Sequence, residues 1–506
     1  MSRWVEWEAR LERAVDWLNP ILVKEARQSL KSNHFVLSFM LLLGTAVVWS
    51  FFGLFQGAYS GVLSSSATML SGYLLILLFP LFLIVPFSTY RSLAAEREDG
   101  TFELMSITDL NARQIVLGKL ASATLQIILY FSALAPCIAF TYLLRGIDIV
   151  TIAIVLFDTL AASWILAAFG LYVATATAQR HWQVLNSLVL LLLLVLAMFS
   201  WFSYSMFMIR QTGLVNQESS GFITLQFIFI TAGISLGLLF IERGASRITF
   251  ASDNQATRVR WVFLLQFALW LAWHGYYRWH EQASDSGMQW VFMVYGAAIY
   301  AALVGAPMLG EPTRLSQRVR RGLPKTFLER MTLSWFMPGS ASGYFFVLST
   351  LLGVILFTLT LKFWSDMTGA SSGTIAGLAR PPFQVVTVCI LVWSYLAFYL
   401  GLSRLVVRWI SRRTTITPAL STLFTILFVA IGTAAPLLLH MAIIDWSTFD
   451  YSWMHWPNVF WTLSIALELN YADHFAAIFT VIGAALLIFV MNMHDSAREL
   501  SQAEAN

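Results

Sequence analysis

The sequence predicts an all-α polytopic membrane protein of about 12 transmembrane helices, because apolar runs of roughly twenty residues, the length needed to cross a bilayer, recur along the chain. An amphipathic helix is expected in the membrane interface ahead of the first span, and a short helix in one loop. Two further observations support this class. Hydrophobic residues make up 58% of the 506 positions and charged residues 11%, whereas about a quarter of a soluble domain is charged. The 31 Lys and Arg also gather in alternate loops, with only Arg145, Arg210, Arg278, Lys362 and Arg380 on the side opposite the N-terminus. That bias puts both termini and the loop 89–119 in the cytoplasm, and the chain is expected to be an integral plasma (inner) membrane protein. The same bias accounts for the net charge of +4 without a nucleic-acid partner.

Residues 1–34 form the amphipathic segment. Trp4, Trp7, Leu11, Ala14 and Leu18 recur at helical spacing, and Arg3, Glu6, Glu8, Arg10, Glu12, Arg13 and Asp16 fill the remaining positions. Trp4, Trp7, Leu11 and Trp17 are the expected interfacial anchors, since indole rings favour headgroup depth. A helix packed on another protein domain would show the same pattern. No apolar stretch precedes these charges, so no cleavable signal peptide is expected. Asn19-Pro20 breaks the helix, and ILVKEARQSLKSN leads to the first span.

Spans are expected near residues 35–58, 67–88, 119–144, 149–177, 183–209, 222–241, 261–277, 288–309, 343–362, 384–407, 419–443 and 473–493. They divide into a first six-span domain (35–241) containing the loop 89–119, a cytoplasmic linker (242–260), a second six-span region (261–493) and a cytoplasmic tail (494–506). Cys137 and Cys389 both lie in apolar runs, and neither suggests a disulfide or a metal site.

The loop 89–119 is the most informative stretch. A helix continuing from span two can run to Glu98, where Asp99 and Gly100 end it. Thr101 can cap a short helix carrying Phe102, Leu104 and Met105, too short to be stable unless docked. Thr108, Asp109 and Asn111 then provide a second break and cap. Glu96, Glu98 and Asp99 crowd a helix C-terminus, where the macrodipole favours cations, so basic partners should neutralise them. A solvated acidic turn balanced by Arg91 and Arg97 is the simpler alternative.

The stretch EREDGTFELMSITDLNARQIVLGK resembles the cytoplasmic loop of ATP-binding-cassette (ABC) exporter permeases of the type-2 class. The matching positions are Glu96, Arg97, Gly100, Thr101, Glu103, Leu104, Gly118 and Lys119. NPILVKEARQSL resembles the family's elbow helix before span one, and the likeness covers the first six spans, roughly residues 1–245. It implies that residues 102–107 are a coupling helix seated on a partner ATPase subunit. Glu96, Arg97, Glu98 and Glu103 would then make charged contacts, Gly100 the turn, and Leu104 an apolar contact. It further implies ATP and magnesium on that partner, and a second permease copy or a different permease chain beside this one. No phosphate loop of the form GxxxxGK[ST] is present in this chain, so it is expected to be a transport subunit rather than an enzyme.

The second half carries no match to that motif. The loop 310–342 is basic, broken by Pro312, Pro324 and Pro338, and suits anchoring near anionic lipid, a degenerate second half or an added six-span module. The aromatic outer stretch 445–473 suits headgroup depth, or a lid over an exit path. Asp158, inside span four with Thr159 and Ser163 close by, is a candidate intramembrane polar site. It reads either as an ion or proton site or as a hydrogen-bonded interhelical residue. His274 and His440 read as interfacial. An ion-coupled secondary transporter remains an alternative, although related halves are not evident. A membrane-embedded enzyme ranks lower because convergent acidic or histidine residues are lacking.

Overall fold

The computed structural model describes residues 19–60, 66–100, 111–143, 147–176, 180–210, 220–250, 253–281, 288–312, 316–321, 334–367, 382–411, 413, 418–443, 451–467 and 474–505. Every regular element among them is helical, and the chain divides into two compact units, Met1–Phe250 and Ala251–Asn506. Eleven helices among the described residues are long and apolar enough to span a membrane.

In unit one, α1 (Pro20–Leu30) precedes α2 (Asn33–Ser60), the first span. The second span is α3 (Ser66–Leu78), a π-helical turn over Phe79–Ile84, and α4 (Val85–Glu98). The remaining spans are α5 (Ala112–Leu143), α6 (Ile149–Ala174), α7 (Arg180–Arg210) and α8 (Ser220–Ile248). Their common core includes Tyr73, Leu77, Leu81, Tyr130, Leu134, Ala167 and Leu194.

The π turn follows from two prolines. The Val85 amide bonds back five residues to Pro80 O, so it does not serve Leu81 O. The residue five beyond Leu81 is Pro86, which has no N–H to offer. The stranded carbonyl would be costly in hydrocarbon, and Ser163 Oγ donates to it at 3.0 Å. Span two is thereby bonded to α6 at the place where its helix is irregular.

Unit two contains α9 (Thr257–Glu281), α10 (Met288–Gly305), α11 (Gln317–Arg321), α12 (Ser340–Met367), α13 (Pro382–Ser411), α14 (Pro418–Ile443), α15 (Val459–Ala466) and α16 (Phe475–Ala505). Helix α9 covers the expected seventh span but is not among the eleven apolar helices. Its 25 residues include Arg258, Arg260, Gln266, His274 and a run of Trp and Tyr, so its length suffices while its hydropathy is low. Arg404, fully buried on α13, donates to Asn492 Oδ1 at 2.7 Å and fixes α16 against it.

Candidate functional site

The charged end of unit one brings together three chain segments. Asn19 starts α1, its Oδ1 accepting from Ile21 N at 3.0 Å, and its Nδ2 donates to Gln114 O at 2.6 Å on α5. Gly118 makes this approach feasible, because a Cβ there would lie 2.8 Å from Ile21 Cβ and 2.9 Å from Asn19 Nδ2. One residue on, Lys119 points inward with its side chain 1% exposed. Its ammonium meets Glu25 Oε1 at 2.7 Å, Glu96 Oε2 at 2.9 Å and Ser92 Oγ at 2.7 Å. Lys24 adds a longer contact to Glu96 at 3.4 Å. A single interior cation thus joins α1, the end of span two and the start of span three. A buried charge is tolerable only with such partners.

The surrounding ends are held similarly. Arg97 Nη1 donates to Ala174 O at 3.4 Å, placing a cation at the C-terminus of α6, where the helix dipole favours it. Arg113 Nε pairs with the buried Glu242 at 2.9 Å, linking α5 to α8. Arg247 lies over the Tyr172 ring, 4.8 Å from its centroid. Glu98 and Gly100 are exposed, and Gly100 has φ +70°, a backbone state that glycine adopts without steric cost.

Of the residues singled out from the sequence, Glu96 and Lys119 meet directly, Arg97 turns toward α6, and Gly118 faces α1. Thr101, Glu103 and Leu104 lie outside the described residues, as do Trp4, Trp7, Leu11 and Trp17. Glu25, Ser92 and Glu242 were not anticipated. Glu25 is 94 positions from Lys119, and no local pattern pairs them.

Asp158 is fully buried on α6. Gln226 of α8 donates to its Oδ1, and Tyr204 of α7 donates to its Oδ2 at 3.3 Å. Its neighbour Thr159 accepts from Trp201 Nε1 at 3.0 Å and donates to Val155 O. Asp158 therefore joins three spans, and both donors come from helices that its sequence neighbourhood does not reveal. No group of three or more His, Cys, Asp or Glu able to hold a metal occurs among the described residues.

In unit two, the loop after α10 is organised by Arg260, which is fully buried. Its guanidinium donates to Trp335 O at 2.6 Å, Met337 O at 2.7 Å and Ser342 Oγ at 3.1 Å, and pairs with Glu311 Oε2 at 2.6 Å. The same Glu311 oxygen accepts from Gly339 N at 3.0 Å. Elsewhere in unit two, near the middle of α13, Tyr399 donates to Pro457 O and Tyr395 to Trp456 O, seating the described part of the aromatic stretch on that helix.

Comparison with protein-family models, curated proteins and solved structures finds no match to this chain. The fold and its charged end define a polytopic helical membrane protein.

Proposed function

We propose that this chain is the membrane permease subunit of an ATP-driven exporter, of the ABC type-2 class, powered by a separate ATP-binding subunit. The observation that carries the reading is the Lys119 contact set. Both helices that flank residues 101–110 contribute to it, and Glu25 ties them to α1. A push on that loop from a docked ATPase would pass through Glu96 and Lys119 into spans two and three and into the interfacial helix together. Glu98 and the Gly100 turn, both exposed, would stand at the start of the docking surface, with Glu103 and Leu104 completing it. A second permease copy or a different permease chain would complete the path. ATP and magnesium would reside on the partner.

In this reading α9 also crosses the membrane, as the seventh span in order, and brings the total to twelve. The count matters, because an even number returns the C-terminus to the cytoplasmic side where the positive-inside bias puts the N-terminus.

The test is purification from native membranes in mild detergent, comparing wild type with Glu103→Arg by mass spectrometry of co-purifying proteins. A phosphate-loop ATPase retained by wild type and lost from the variant is the expected result. Absence of any ATPase from both, in membranes whose other transporters remain intact, would overturn it.

A further inference from the structure

Unit two presents basic and aromatic side chains together at the membrane end where α9 begins. Arg258 and Trp261 lie one turn apart on the same face of α9. Arg258 is exposed and makes no ion pair among the described residues, and Trp261 is 55% exposed. The Trp261 ring stacks on Phe336 with centroids 4.6 Å apart and planes at 20°. Trp335 beside it is 39% exposed. The short helix α11 is anchored here by buried Val319 and by Arg318 Nη1, 2.7 Å from Asp253 Oδ1, which leaves the Arg318 side chain 75% exposed. Arg321 lies one turn further along α11 and is exposed.

These rings do not stand on a loose loop. Thr257 Oγ1 donates to Phe336 O at 2.8 Å, and Arg260 grips the carbonyls of Trp335 and Met337 from beneath. Among the described residues, Glu311 nearby has its charge matched by Arg260. Arg258 and Arg321 thus stand outward beside Arg318, which Asp253 pairs, on a surface that also offers flat apolar rings.

We propose that Arg258, Arg318 and Arg321, with Trp261, Trp335 and Phe336, form a docking surface for anionic phospholipid headgroups. Charge complementarity selects the occupant. Guanidinium forks match phosphate oxygens, while the rings take the glycerol and upper acyl region at the depth that tryptophan prefers. A zwitterionic lipid brings its own cation beside the phosphate, and a free anion brings no acyl chain, so neither matches the guanidinium groups and the rings as fully. The proposal does not depend on the ATP-driven reading, since it concerns unit two alone.

The experiment is native mass spectrometry of delipidated protein titrated with phosphatidylglycerol or phosphatidylcholine. Wild type should retain phosphatidylglycerol preferentially, and added salt should release it. Arg258→Gln combined with Arg321→Gln should weaken that retention by about fivefold per arginine removed, the factor corresponding to about 1 kcal/mol for each basic residue near an anionic surface. Arg258→Lys should keep most of it, and phosphatidylcholine binding should not change. Equal retention of the two lipids, or unchanged phosphatidylglycerol binding in the double variant, would overturn the proposal. So would displacement by millimolar glycerol phosphate, which would mark a site for a free anion. If the double variant does not fold, phosphatidylglycerol retention by wild type that is insensitive to salt would overturn it equally.

Discussion

The Lys119 ammonium lies 2.9 Å from Glu96 and 2.7 Å from Glu25, one interior cation shared by two carboxylates on different helices. Its removal would leave both without their main partner, because Lys24 reaches only Glu96 and is 58% exposed. Lys119→Met should therefore cost about 3–5 kcal/mol, the usual penalty for breaking one side of a buried pair. Thermal melting in detergent measures it. Adding Glu25→Gln and Glu96→Gln should recover much of the loss, since no unpaired charge then remains. A Lys119→Met protein that melts like wild type would show that solvent reaches this site.

Asp158 takes hydrogen bonds from Gln226 and Tyr204 on two other spans. If its role is to join them, Asp158→Asn should remain near wild type in stability, because the carboxamide oxygen can still accept from Gln226 while its NH2 donates to the Tyr204 hydroxyl. Asp158→Leu strands both donors in the interior, and the cost should be about 1–3 kcal/mol. The same pair separates a structural residue from an ion site. Transport in reconstituted vesicles should survive the Asn variant, whereas an ion-coupled carrier that uses this carboxylate would lose its coupling.

His455 gives unit two a pH dependence. Burial is the main cause that lowers its pKa from the ordinary 6.5; the Ser452 backbone bond opposes this and the nearby His440 adds to it. The neutral ring accepts from Ser452 N at Nδ1, 3.0 Å away, while the opposing bond is to Ser452 O, 3.1 Å from Nδ1, which only a protonated Nδ1 can make. The unfolded chain thus takes up this proton at higher pH than the folded one. The stabilisation is complete above about 6.5 and is lost as pH falls toward the folded value. The melting midpoint of wild type should drop between about pH 7 and pH 5 more steeply than that of His455→Asn, which can accept the same bond but does not titrate. Parallel pH profiles would remove His455 as the cause.

The spans were legible because length and apolarity in a helix decide membrane crossing locally. Helix α9 escapes that criterion, since its Trp, Tyr, His and Arg lower the hydropathy while its length is ample. The turn at Gly100 was legible too, from residue type alone, and its φ of +70° is what such a turn requires. Long-range partners were not. Counting basic residues by loop treats Lys119, Arg260 and Arg404 like any other cation near a membrane surface. All three are interior, each held by groups at least 50 residues away, such as Glu25, Glu311 and Asn492. Likewise, Thr159 and Ser163 were visible beside Asp158, but its two donors were not. They become neighbours only when α7 and α8 close on α6.

The π turn in span two also sets a phase. An α-helix advances about 100° per residue, so one extra residue accommodated in a wider turn rotates everything beyond it by about that much relative to everything before. Tyr73, Leu74 and Leu77 face the core on one side of the turn, and Ser92 and Glu96 face Lys119 on the other. A regular helix through residues 79–84 could satisfy one group or the other. The Pro80 and Pro86 geometry, with its carbonyl passed to Ser163, lets a single span serve both the apolar interior and the charged end.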